Sequence, residues 1–193
     1  MTESSRTSTD QKFITESGLR FGPFNNDDLF ELEIHSNSKG VYAPNNTPKM
    51  AEFAWLDESP KRQKVWVVEA KSSVARVENI ADFNANLDEW SLKLLNALAL
   101  IAGVKAGTYK LNADLSEVPH FVTLKHMRDL DFRLVVVITA AWLTSEDCAL
   151  YQNCLANKLT DFIRAWGLNR DAIFVFNRQL AQQKRLAILD DQS

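Results

Sequence analysis

An acid and a lysine two positions apart close the apolar run Val65–Ser73, which reads V-W-V-V-E-A-K-S-S. In an extended chain alternate side chains share a face. Val65, Val67, Glu69 and Lys71 therefore stand on one side, and Trp66, Val68 and Ala70 on the other. The β-branched apolar run has the composition of a buried strand, and charges at the end of such a strand require a partner or a metal. Upstream, Met50–Asp57 (M-A-E-F-A-W-L-D) is also strand-like, and Glu58–Lys64 with Pro60 reads as the loop of a β-hairpin. A hairpin centred on Pro60–Lys61 pairs positions whose numbers sum to 121, which sets Glu52 opposite Glu69. Directly opposed Cβ atoms are about 5 Å apart. Two carboxylates that close need a positive charge between them, and hard oxygen donors suit Mg²⁺ or Mn²⁺. A register slip of one residue would turn Glu52 to the other face.

An acid on the first hairpin strand followed by E-x-K on the second resembles the signature of the PD-(D/E)XK, or restriction-endonuclease-like, nuclease superfamily. More narrowly, G-L-R-F-G-P-F (18–24), M-A-E-F (50–53) and E-A-K-S-S (69–73) resemble the conserved blocks of an uncharacterised bacterial family with a nuclease-like core. The resemblance implies metal-dependent phosphodiester hydrolysis, with nucleic acid as the partner and Mg²⁺ or Mn²⁺ as the cofactor. Carried over residue by residue, Glu52, Glu69 and the Ala70 carbonyl hold the metal, and Lys71 orients the attacking water. Glu33, from an element before the hairpin and followed by His35, is the candidate to complete the metal shell; Glu31 and Asp57 are the alternatives. Ser72 and Ser73 are candidate phosphate donors, and Lys61, Arg62 and Lys64 candidate backbone contacts. The sequence departs from the pattern in carrying Glu52 where Asp is commoner and in lacking a Pro-Asp pair. Asp57 lies near the loop and, by parity, on the opposite face from Glu52.

Each of these readings has a plainer rival. E-x-K is also what a structural Glu–Lys ion pair at a sheet end looks like, Glu31 and Glu33 suit a solvated strand face, and a basic loop tip is often only solvated. The functional alternative is a catalytically silent subunit that keeps the nuclease fold to bind a protein partner or a second copy of itself.

The rest of the chain supplies elements to position these residues. Residues 1–12 are Ser- and Thr-rich without hydrophobic period and read as a flexible tail, leaving 13–193 as a single nuclease-like domain. Phe13–Phe24 alternates, with a turn expected at Gly22-Pro23. Leu29–Ile34 reads as a strand or as a short helix capped by Asn26 or Asp27, and Ser36–Lys49 as a loop bordering the site. Ile80–Gly103 repeats Phe83, Leu87, Trp90, Leu94, Leu98 and Ile101 at three- and four-residue steps, the mark of one apolar helix face. Phe132–Ala140 is an unbroken apolar strand suited to a central position. Ser145 is expected to cap a helix to about Trp166, with Leu150, Cys154 or Leu155, Leu159, Phe162 and Trp166 inward. Ile173–Asn177 is a third core strand, and Arg178–Leu189 a short closing helix. The order predicts an α/β domain, a mixed central sheet flanked by helices, and it matches the restriction-endonuclease-like core that the resemblance implies.

Composition narrows the partners. A net charge of −3 runs against a general nucleic-acid binder, whose footprint is a basic surface, unless the cations are clustered. His120, Lys125, His126 and Arg128 give Tyr109–Arg128 a basic cast, and the histidines read as surface residues without a nucleophile to serve. Cys148 and Cys154 complete no zinc set and read as reduced thiols. With no signal-like or membrane-length apolar stretch, the expected setting is the cytoplasm.

Overall fold

The computed structural model describes residues 11–33, 48–57, 63–108, 118–123, 126 and 129–188. The strands are β1 (Gln11–Glu16), β2 (Leu19–Asn25), β3 (Leu29–Glu31), β4 (Phe53–Asp57), β5 (Lys64–Lys71), β6 (Asp131–Ile138), β7 (Ile173–Asn177) and β8 (Ala187–Ile188). The helices are α1 (Ile80–Lys105), α2 (His120–Thr123), α3 (Ser145–Lys158), α4 (Thr160–Ala165) and α5 (Arg178–Gln183).

β5 is buried from Val65 to Ala70 because it is the middle strand of a five-stranded sheet, order β3-β4-β5-β6-β7. β3, β4 and β5 run antiparallel in turn, whereas β5, β6 and β7 are parallel, so the sheet is mixed. The parallel connections run through α1 and through α3–α4, and both pack on the same face. There Val65, Val67, Leu134 and Val136 meet Leu87, Trp90, Leu94 and Leu98 of α1 and Tyr151 and Leu155 of α3. Trp66, Val68, Val135 and Val137 face the other way, onto a three-stranded antiparallel sheet of order β1-β2-β8 and onto α5. The fold is thus α/β with a mixed central sheet, its helices concentrated on one side and a small second sheet covering the other. Each large side chain buried as fully as Trp90 or Leu94 contributes about 1.5–3 kcal/mol.

The G-L-R-F-G-P-F block builds the second sheet. Phe21 and Phe24 are buried and pack edge-on or tilted against Phe53 with centroids 5.4 and 5.3 Å away. Gly22 has φ +113°, and a Cβ there would lie 2.9 Å from the Lys12 carbonyl, so only glycine fits. The expected turn at Gly22-Pro23 is instead a cis peptide inside β2; the chain reverses earlier, at Ser17-Gly18, both at positive φ.

Other expectations shift by a residue or more. Gln11 and Lys12 belong to β1 rather than to a tail, held by pairing with Asn25 and Phe24; residues 1–10 lie outside the described residues. Leu29–Glu31 is strand, preceded by a 3₁₀ turn whose cap is Asn25, and Leu32–Glu33 is already helical, so Glu31 and Glu33 do not share a strand face. The cap before α3 is Thr144 rather than Ser145, in a reciprocal box with Asp147. The expected single helix breaks at Leu159 into α3 and α4. Its inner stripe uses Tyr151 in place of Leu150, because the tyrosine buries a larger ring while its hydroxyl donates to the Ala75 carbonyl. The closing segment is α5 followed by β8.

Candidate functional site

The hairpin register is the one the sequence implied: Phe53 pairs with Val68 and Asp57 with Lys64, so numbers again sum to 121. Glu52 lies one step beyond the β4 pairing, its N–H donating to the Val68 carbonyl at 3.0 Å. Glu69 and Lys71 project from the carboxyl end of β5 onto the face covered by α1, where Glu69 is fully buried.

Charge then accumulates around one carboxylate oxygen. Lys71 Nζ lies 3.0 Å from Glu69 Oε1 and 2.9 Å from Glu89 Oε1. Lys93 Nζ lies 2.8 Å from the same Glu69 Oε1 and 3.6 Å from Glu52 Oε1. The cation between the two opposed acids is therefore a lysine ammonium delivered by α1. Although both ammonium groups come within ion-pair distance of Oε1, neither meets it at hydrogen-bonding angles, and Oε2 has no partner among the described residues. A fully buried carboxylate with an orphaned oxygen is a costly arrangement.

Burial drives the electrostatics. It raises the Glu52 carboxyl to about 8, with the Glu69 and Glu33 charges adding and Lys93 opposing. It also raises Glu69, against the pull of Lys93 and Lys71. For Lys71, burial works against the ammonium, but Glu69 and Glu89 outweigh it and hold the group charged. Glu89, more open, is lowered chiefly by its hydrogen bond from Lys71. Burial thus biases both acids toward the protonated form, and the two titrate as a pair.

Lys93 and Glu89 are not among the residues that the sequence singles out, yet a signal exists. Asn86, Glu89, Lys93 and Asn96 recur at three- and four-residue steps beside the apolar stripe of α1, forming a polar seam. Each has a partner off the helix: Asn86 accepts from Ala75 N–H, Glu89 takes Lys71, Lys93 takes Glu69, and Asn96 donates to the Lys49 carbonyl.

The remaining candidates divide. Glu33 is exposed and close enough to push up Glu52. Ala70 is buried on the face away from α1, and Ser72 and Ser73 are exposed just beyond β5. Glu31 pairs instead with Lys12 of β1. Asp57 and Lys64 oppose one another at the far end of the hairpin and on the other face, so neither joins the acids. Lys61, Arg62 and His35 lie outside the described residues, as does most of the expected Ser36–Lys49 loop. His126 is exposed, as expected of a surface histidine. No group of three or more metal-ligating side chains occurs among the described residues. Nor is any helix among them long and apolar enough to cross a membrane. Comparison with protein-family models, with curated proteins and with solved structures finds no match to this chain.

Proposed function

We propose that this chain is a metal-dependent nuclease whose reacting centre is Glu52, Glu69 and Lys71. The observation that carries the reading is the convergence of two carboxylates and the E-x-K lysine at the carboxyl end of β5, with one oxygen of the buried Glu69 lacking a partner among the described residues. Three antiparallel strands, a helix and a parallel strand in that order also suit the restriction-endonuclease-like core expected from the sequence.

The donor set fits a hard divalent cation: two carboxylates that share the Lys93 ammonium, one of them with an oxygen that has no partner among the described residues. Glu52, Glu69 and the Ala70 carbonyl would hold Mg²⁺ or Mn²⁺; Glu33, whose charge is felt at Glu52, is the further acid that the resemblance implies. Bound there, the ion supplies Lewis-acid polarisation of a phosphoryl oxygen and a more acidic water. Lys71 donates toward the phosphate and the incoming water, stabilising negative charge as the new P–O bond forms and the ester P–O bond breaks. Its partial exposure between buried Glu69 and open Glu89 gives it access to both the acids and a substrate. Ser72 and Ser73 add hydroxyl donors at the same edge.

Cleavage assays on single- and double-stranded DNA and RNA test the reading. Wild type is expected to cut with Mg²⁺ or Mn²⁺ and not with EDTA, and Glu69→Gln and Lys71→Ala to lose at least about 100-fold. One observation favours a second reading: Lys93 already occupies the space between the acids. In a silent binding subunit the cluster is a buried ion-pair lock. Absence of cutting on every substrate, with the same Mn²⁺ binding heat in wild type and Glu69→Gln, would select that reading.

A further inference from the structure

The opposite end and face of β5 carry a second collection of charge, independent of whether the acids cleave anything. Register alone gathers it. Lys64 and Trp66 of β5 stand beside Asp57 of β4 and Arg133 of β6, while Phe174 of β7 completes the row. The turn after α5 brings Lys184 and Arg185 to the edge of this row, bordering an open hollow of about 400 Å³. That volume lies in the range of small-molecule sites, roughly 300–1,000 Å³.

Its walls are of two kinds. The floor is aromatic: the Trp66 and Phe174 centroids are 5.8 Å apart, and the Arg133 guanidinium carbon lies 5.7 Å from the Phe174 centroid. The rim is cationic. Arg133 is committed to Asp131 and to the Asp171 carbonyl, and Asp57 offsets part of the charge of Lys64. Lys184 and Arg185 make no ion pair among the described residues. Among the described lining residues the cations outnumber the acids, which makes the described rim electropositive.

Arg185 adds a second, independent sign. It has φ +59° and occupies the left-handed position that ends α5, with Leu186 N–H reaching back to the Ala181 carbonyl and Arg185 N–H to Gln182. Glycine is the residue favoured there, because any Cβ crowds the neighbouring carbonyl in this conformation. An arginine held against local preference at the lip of an electropositive, aromatic-floored hollow has the character of a functional position.

We infer that this hollow binds a nucleoside phosphate, the base resting on the half-buried Phe174 ring, which the buried Trp66 backs, and the phosphate held by Arg185, Lys184 and Lys64. Guanidinium and ammonium groups supply phosphate binding, and aromatic rings accept any base. The same chemistry is offered by a free mononucleotide and by one residue of a single strand.

Titration calorimetry without divalent cation, using AMP, inorganic phosphate and a five-residue oligonucleotide, tests the inference. Wild type is expected to bind AMP saturably and at least tenfold more tightly than phosphate. Arg185→Gly and Lys184→Ala should each weaken AMP at least tenfold, while Glu69→Gln leaves it unchanged. Arg185→Gly should also raise Tm, because it removes strain while removing the ligand contact. Oligonucleotide binding tighter than AMP, with the same sensitivity to Arg185, identifies a strand as the source; equal or weaker binding identifies the free nucleotide. Phosphate binding as tightly as AMP, AMP binding unchanged in Arg185→Gly, or no saturable binding of AMP or oligonucleotide below about 1 mM would each overturn the inference.

Discussion

The two ends of β5 hold charge in opposite ways. At the carboxyl end, Glu69 is fully buried and two ammonium groups converge on it within 3.0 Å. At the amino end, Lys64 sits on a half-open surface near Lys184 and Arg185, which make no ion pair among the described residues. The difference is one of solvent. Water screens an open lysine, so it needs no fixed partner, whereas a carboxylate in the apolar layer under α1 is tolerated only with a counter-charge or a proton. Buried charge is thus compelled to be organised, and open charge is left available for a ligand.

The largest expected effect comes from breaking the buried end. Lys93→Met removes the shared counter-charge of Glu69 and Glu52 and is expected to destabilise the protein by about 3–5 kcal/mol in denaturant titrations. The loss should shrink at pH 5, where protonation neutralises the acids in place of the lysine. A result indistinguishable from wild type at pH 8 would mean that Lys93 does not hold the acids in solution.

Next in size is the pH profile. The Glu52 carboxyl is raised from 4.5 to about 8, so between those values the folded protein keeps a proton that the unfolded chain releases. Stability therefore falls as pH rises from about 4.5 to about 8 and levels above it. The Tm is expected to decline by several degrees across that window from this group, and Glu52→Gln should flatten the decline. An unchanged slope in that variant would assign the proton elsewhere.

The smallest effect sharpens the contrast from the other side. Lys64→Met, on the same strand, is expected to change stability by no more than about 0.5 kcal/mol, because no buried partner is stranded. A loss comparable to that of Lys93→Met would show that the amino end is also an organised ion-pair site.

Much of the carboxyl-end site is legible in the order of residues. The alternation of V-W-V-V-E-A-K assigns Glu69 and Lys71 to one face, and the hairpin centre assigns Glu52 opposite Glu69; both depend on the fixed two-residue period of extended chain. The apolar stripe of α1 is legible for the same reason, through the helical period. The polar seam beside that stripe is not. Its residues look like an ordinary solvated flank until the helix is rotated and set on the sheet. The start of α3 differs by one residue from the expected position because Thr144 and Ser145 are both competent caps, and only the reciprocal bond with Asp147 selects the first. The Gly22-Pro23 pair reads as a turn because its chemistry permits one, while the strand pairing that absorbs it comes from β1 and β8.

The sequence by itself determined which side chains share a face and which acid opposes which, since those relations are local and periodic. The tertiary structure alone decided that Lys93 fills the gap between the acids and that Lys184 and Arg185 come to the edge of the row that holds Trp66. Both depend on contacts between segments far apart in the chain, where no short-range period constrains the outcome and burial selects the arrangement.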